Sequence, residues 1–257
     1  MRHRAEIDGL RAVAVLPVIL FHAGFSAFHG GFIGVDVFFV ISGYLITSLI
    51  LEDRECGRFS FAEFYERRAR RILPALFVVL TASLAAAWWW MNASDFINFG
   101  QSLAAVSLFS SGMLFIFSAG YFDVSSDLKP LLHTWSLGVE EQFYLFFPPI
   151  LILLSRWGRW PLFIGILALT VASLWLAQVG TAHFPSATFF FMPTRAWELM
   201  VGALLAVSQA RLSQLPLPMA QGLSALGLAL MAASAALFDS SSAFPGVIAL
   251  VPTVGAA

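Results

Sequence analysis

Apolar runs long enough to cross a bilayer, roughly 17 to 25 residues each, follow one another along the chain with short polar connectors. They predict spans at about 10–28, 32–51, 72–91, 98–118, 136–154, 161–179, 195–208 and 221–238, with a ninth apolar run starting near Pro245. The pattern is that of an all-α integral membrane protein, a polytopic helical bundle with eight to nine spans. No soluble domain, internal repeat or low-complexity tract interrupts it. The last run is too short to span, so residues 1–257 read as one transmembrane domain that is incomplete at its C-terminus.

Polar positions inside these runs are few and specific. The first span, predicted as a helix from Asp8 to about Phe28, carries Arg11 and His22. They are separated by ~16 Å of helix axis and lie within ~20° of one face. Pro17 falls between them and predicts a kink. His29-Gly30-Gly31 predicts a tight turn and an antiparallel hairpin of spans one and two, which places Asp36 at a depth similar to that of His22. In the second span Ser42 and Gly43 are small enough for another helix to approach closely. Ser60 and Glu63 predict a capping box. Behind it, Glu63 can pair with Arg67 and Glu66 with Arg70, on a helix lying along the membrane surface before Pro74 opens the third span. Trp88-Trp89-Trp90 fits an interfacial aromatic belt. The longest polar loop in the middle of the chain, Gly120 to Trp135, leads into Glu140, Glu141 and Gln142 at the head of an apolar helix. Arg195 and Glu198 stand three apart in a later span.

Composition agrees with the pattern. The chain is 59% hydrophobic and 11% charged, against about 25% charged in soluble domains, and its mean hydropathy is +0.83. The net charge of −1 says nothing useful about partners, and nothing points to nucleic acid. Arg54, Arg58, Arg67, Arg68, Arg70 and Arg71 share one connector, the positive-inside signal that makes the N-terminus cytoplasmic in an inner-membrane protein. Strict alternation from that start puts Arg156 and Arg159 outside, against the same trend, unless a middle segment such as 98–118 is re-entrant or broken. Cys56 is the single cysteine, which rules out an intrachain disulfide. Glu6 and Asp8 are unusual in a cleaved leader.

Intramembrane ionisable groups are costly and are functional candidates by default. His22 suits a general base; the plainer reading is a hydrogen-bonded helix histidine. Asp36 orients that imidazole or caps the second helix, and the cap is favoured. Arg68 and Arg71 suit phosphate oxyanions or anchor the chain on anionic lipids. Glu140 and Glu141 line a polar cavity or simply favour a helix N-terminus. Arg195 and Glu198 read best as an intramembrane ion pair. Metal-ligand spacing and a nucleotide-binding glycine loop are both lacking. Two other classes compete with an enzyme: a transporter or flippase, against which stands the lack of an inverted repeat, and a membrane assembly protein, which needs no buried His or Arg.

Five ordered motifs carry a resemblance. They are Glu6-Ile7-Asp8-Gly9-Leu10-Arg11-Ala12 with His22 at the R-x10-H spacing, Gly34 to Gly43, Phe64 to Pro74, Trp135 to Tyr144, and Arg195-Ala196-Trp197-Glu198-Leu199. Together they resemble the acyltransferase 3 family of membrane acyltransferases, whose domain has about ten helices. The resemblance implies transfer of an acyl group, usually acetyl, from cytoplasmic acyl-CoA to an extracytoplasmic carbohydrate such as lipopolysaccharide O-antigen, peptidoglycan or exopolysaccharide. It makes Arg11 and His22 the catalytic pair, with Asp36, Glu140 and Glu141 as further catalytic candidates. It assigns Arg68 and Arg71, with Arg67 beside them, to the CoA phosphates, and Tyr144, Ser42, Arg195 and Glu198 to the substrate cavity. Acetyl-CoA is the implied donor, with no metal. The segment 121–144 and the tail from Phe244 resemble members that continue into an extracytoplasmic SGNH-type esterase domain.

Overall fold

A computed structural model describes residues 5–118, 129–239, 242 and 244–257, and among these there is helix and turn but no strand. The helices are α1 (Ala5–His22), α2 (Gly34–Glu55), α3 (Phe61–Trp90), α4 (Ala93–Ser107), α5 (Ser111–Ser118), α6 (Trp135–Ser155), α7 (Arg159–His183), α8 (Pro185–Phe190), α9 (Met192–Leu212), α10 (Leu217–Leu237) and α11 (Leu250–Ala256). Five stretches are long and apolar enough to cross a membrane: Gly31–Glu55, Phe61–Trp90, Leu132–Ser155, Arg159–His183 and Leu217–Leu237. The protein is an integral membrane protein. Fewer helices meet this standard than the eight to nine spans expected, because α1 carries Glu6, Asp8 and Arg11, α9 carries charge, and segment 98–118 is not one helix. The chain forms two compact units, Met1–Leu49 with Phe143–Ala257, and Ile50–Gln142.

In the first unit, α1 ends at His22 and not near Phe28. Gly24 adopts φ +80°, and the N–H groups of Gly24 and Phe25 donate to Phe21 and Leu20, both at 3.0 Å. This is a Schellman stop, and glycine takes its left-handed position at little cost. Two 3-10 turns, Ser26–Phe28 and Gly31–Ile33, then lead into α2. The hairpin expectation holds. Gly31 and Gly34 pack on the Pro17 and Ala14 carbonyls, and Ala14 joins Val37 and Ile41, with Ile7, Leu10 and Leu45 packed around them. α1 continues through Pro17.

The opposite face of α2 meets α9. A Cβ on Gly43 would collide with the Leu199 carbonyl, and one on Gly202 with the backbone of Val40 and Tyr44. Asp36 Oδ1 accepts a 2.7 Å hydrogen bond from Arg195, and Arg195 NH1 lies 3.1 Å from Glu198 Oε1. These contacts advance together along both helices, so α2 and α9 run parallel. α7 runs antiparallel to α9. Ser173 Oγ donates to the Pro193 carbonyl at 2.6 Å and accepts from the Trp197 N–H at 3.0 Å, while Arg211 reaches back to Trp160. α10 joins through the Gly30 N–H, which donates to the Ala235 carbonyl at 3.0 Å.

These directions put Arg156, Arg159, Arg211 and the N-terminal end of α1 on one side of the first unit. Strict alternation of eight unbroken spans is thereby overturned, and Arg156 and Arg159 fall with the N-terminus, as the charge bias favours.

In the second unit, α3 is one helix of 30 residues that includes Pro74. The separate surface helix expected before Pro74 is therefore the first part of α3. Ser60 is its extended N-cap, but its side chain makes no capping hydrogen bond; the predicted box marks the boundary without forming. Trp88, Trp89 and Trp90 close α3 with exposed rings. The segment 98–118 is broken. α4 and α5 part at Leu108–Ser110, where Phe109 takes φ +52°. Gln142 Nε2 donates to the Phe109 carbonyl at 3.0 Å, and Gly138 packs beneath the same carbonyl. Leu76, Leu80, Phe99, Val106 and Leu131 form the core.

Gly43→Leu forces the α2–α9 contact apart and is expected to lower stability by about 1–3 kcal/mol, whereas Gly222→Ala, inside α10 with open space at its Cβ, raises it by up to about 1 kcal/mol. Arg195→Gln strands two buried carboxylates and is expected to cost about 3–5 kcal/mol. Thermal unfolding of the purified protein in detergent, read as a shift in midpoint, checks both.

Candidate active site

The chemistry predicted for the first helix stands on its open face. The His22 side chain is exposed, and its Nδ1 lies 2.8 Å from the Val18 carbonyl. A carbonyl oxygen can only accept, so Nδ1 carries the proton and the neutral ring keeps its lone pair on Nε2. The Phe21 ring stands edge-on at 5.1 Å and restricts the imidazole further. Arg11 is a third exposed and 3.9 Å from Asp8 Oδ1, while its Nε is buried without a hydrogen-bond partner. Helix geometry keeps both residues on the predicted stripe.

Asp36 does not orient His22. It lies in the first turn of α2, where its carboxylate takes a backbone hydrogen bond at its own position, and Oδ1 also accepts from Arg195. The reason is rotational. Gly34, Val37 and Ile41 face α1, and Asp36 falls on the other side of α2 with Val40 and Gly43. Arg195 and Glu198 form the predicted ion pair, with Asp36 as the third member that the local spacing does not reveal. All three side chains are at most 1% exposed. The rings of Phe39, Phe189 and Phe244 lie 5.4, 5.6 and 5.8 Å from the guanidinium carbon, a cation–π setting that supports a desolvated cation. The cluster is buried and braces the helix pair. Ser42 is half-buried on α2, between its α1 and α9 faces, and Tyr144 is buried on α6.

The second unit holds the remaining candidates. Arg67 is drawn into ion pairs with Asp53 at 2.9 Å and Glu63 at 3.6 Å, and Arg70 with Glu66 at 2.6 Å. Two carboxylates already meet Arg67, which makes it the weakest of the three proposed phosphate contacts. Arg68 and Arg71 share the next face of α3, one half-buried and the other exposed. Arg68 leans on Phe64, 6.0 Å from the ring centre, and its charge acts on Glu141. Glu140 and Glu141 are half-buried in the second turn of α6; Glu141 Oε1 is buried without a hydrogen-bond partner. Gln142, read from sequence only as an amide entering the helix, pins the α4–α5 break. The polar loop before α6 lies mostly outside the described residues. Among the described residues no group of three His, Cys, Asp or Glu could hold a metal ion.

The profile described as "Acyltransferase domain" matches residues 4–256. The chain is 37% identical over 226 residues to a Bacillus subtilis protein named "Putative peptidoglycan O-acetyltransferase YrhL", covering 84% of this chain and 35% of that one. It is 38% identical over 208 residues to "Peptidoglycan O-acetyltransferase OatA" of Listeria monocytogenes, covering 78% and 33%. The chain thus spans about a third of the length of these relatives. No solved structure matches it. With a profile match over nearly every residue and relatives above one-third identity, the chain belongs to the acyltransferase 3 family.

Proposed function

We propose that this chain is the membrane-embedded acyl-transfer part of an O-acetyltransferase, with acetyl-CoA as donor and a cell-surface carbohydrate hydroxyl as acceptor. The observation that carries the reading is the His22 ring, exposed on the Arg11 stripe with Nδ1 committed to a carbonyl. That leaves Nε2 as the basic, nucleophilic nitrogen. Peptidoglycan is the acceptor favoured by the names of the relatives; lipopolysaccharide O-antigen is the other member of the same chemical class.

In the direct route the acceptor hydroxyl oxygen attacks the thioester carbonyl while His22 Nε2 takes its proton. The C–O bond forms, the C–S bond breaks, and the CoA thiolate leaves with the proton that His22 held. In the two-step route Nε2 attacks the thioester carbonyl, the C–N bond forms, the C–S bond breaks and CoA leaves as the thiolate. The acceptor hydroxyl oxygen then attacks the acetyl carbonyl, the C–O bond forms, the C–N bond breaks, and the hydroxyl proton passes by way of the freed Nε2 to the thiolate. Arg11, in the same stripe, offers a cation to negative charge on the donor. Arg68 and Arg71 contribute oxyanion contacts for its phosphates, since guanidinium groups match phosphate geometry. Glu141 opposes Arg68 and holds it in place between visits of the donor. The N-terminus is assigned to the cytoplasm, where the donor is made.

His22→Ala is expected to abolish transfer of labelled acetyl from acetyl-CoA to surface polysaccharide in membranes containing the full-length protein. Undiminished labelling would remove His22 from the chemistry. Arg68→Gln with Arg71→Gln is expected to raise the donor KM about a hundredfold or more, each charge-assisted phosphate contact contributing about 1.5–3 kcal/mol, with kcat and acceptor preference little changed. Steady-state kinetics in acetyl-CoA at fixed acceptor check this, and an unchanged donor KM would overturn the assignment.

A further inference from the structure

Five side chains gather where α6 turns into α7 and α9 ends, and none has a part in the transfer reaction. Arg156 and Trp157 lie in the turn, Arg159 and Trp160 open α7, and Arg211 closes α9; all five are exposed. The Arg211 guanidinium carbon stands 4.4 Å from the centre of the Trp160 ring. On the stretches of α6, α7, α9 and α10 in this unit the single carboxylate is Glu198, and it is buried against Arg195. These ends of α6, α7 and α9 are therefore basic and aromatic together, while Glu6 and Asp8 lie on the same side on α1, Asp8 beside Arg11.

An apolar stripe starts at the same point. Trp160, Ile164, Leu167, Val171 and Trp175 are all exposed, and their spacing of four, three, four and four puts them on one face of α7. Ala168 and Ala172 beside them leave a trough of about 520 Å³ lined almost wholly by carbon. From Ile164 to Trp175 it measures ~16 Å along the helix, about half the ~30 Å hydrocarbon core and so the depth of one leaflet.

We propose that this end of the first unit is a binding site for an anionic phospholipid of the membrane. Arg156, Arg159 and Arg211 hold the headgroup phosphate, Trp157 and Trp160 lie at headgroup level, and one acyl chain runs down the α7 trough. A soluble anion would use the arginines and leave the trough uncovered. A packed helix would cover the trough and have no use for three cations at its end. A lipid uses both features, in the order in which they lie along the bilayer normal.

The test uses the purified full chain in nanodiscs of equal phosphatidylcholine and phosphatidylglycerol, released for native mass spectrometry. Wild type is expected to retain phosphatidylglycerol over phosphatidylcholine by about a hundredfold, since each of the three surface arginines contributes about 1 kcal/mol toward anionic lipid. The Arg156→Gln, Arg159→Gln, Arg211→Gln triple variant brings that ratio close to one. Ala172→Phe, with every charge intact, lowers the amount of both lipids retained. Equal retention by wild type overturns the proposal, as does an unchanged ratio in the triple variant or unchanged retention in Ala172→Phe. Displacement of the lipid by inorganic phosphate assigns the arginines to a soluble anion and overturns it as well.

Discussion

The first unit depends on one desolvated cation. Arg195 lies in the interior with Asp36 and Glu198 as counter-charges and three phenylalanine rings around it. An unpaired charge in such a place is prohibitively costly, so α2 and α9 have little freedom to slide or rotate independently. The glycine contacts at Gly43 and Gly202 bring the two backbones close enough for the pair to form. Ion cluster and glycine seam therefore specify the same register, and each is of little use without the other. α2 is the shared member. It meets α9 on one face and α1 on the other, which transmits that fixed register to the helix carrying His22.

Buried charge and chemistry are thereby separated. The residues most desolvated, Asp36, Arg195 and Glu198, brace α2 against α9. The residues proposed to act on substrate, Arg11 and His22, sit on α1, whose one fully buried side chain is Ala14. α1 is held at Ala14 against Val37, Ile41 and Met231, and rigidity is supplied from the α2 side.

Much of this was readable from local spacing. The glycine turn gave the α1–α2 hairpin, the i,i+4 pairs on α3 formed as expected, and Arg195 with Glu198 met as a three-residue spacing predicts. What escaped were features set by distant partners. Asp36 and Arg195 are 159 positions apart, and a first-turn aspartate has a good local alternative as a cap, so no short-range pattern selects the long-range pairing. Pro74 looked like a boundary because proline removes one backbone hydrogen bond, yet the helix on either side is long enough to carry that loss. Gly24 stopped α1 six residues early for the opposite reason: its left-handed backbone closes two terminal hydrogen bonds at once. The motif residues themselves, His22, Arg68 and Glu141 among them, were visible in sequence as costly polar groups, while their tautomer, partners and exposure needed coordinates.

The break at Phe109 bears on how the polypeptide is assembled after synthesis. α4 and α5, with 15 and 8 residues, reach ~22 Å and ~12 Å, and neither alone matches the ~30 Å that lipid demands of a lone helix. The amide that satisfies the Phe109 carbonyl comes from Gln142, which leaves the ribosome 33 residues later. Until then the break carries an unsatisfied carbonyl, while α4 already has Leu76 and Leu80 of α3 to pack on. The junction gains its last hydrogen bond only when α6 arrives, so the final step in building this part is the docking of α6 on the break.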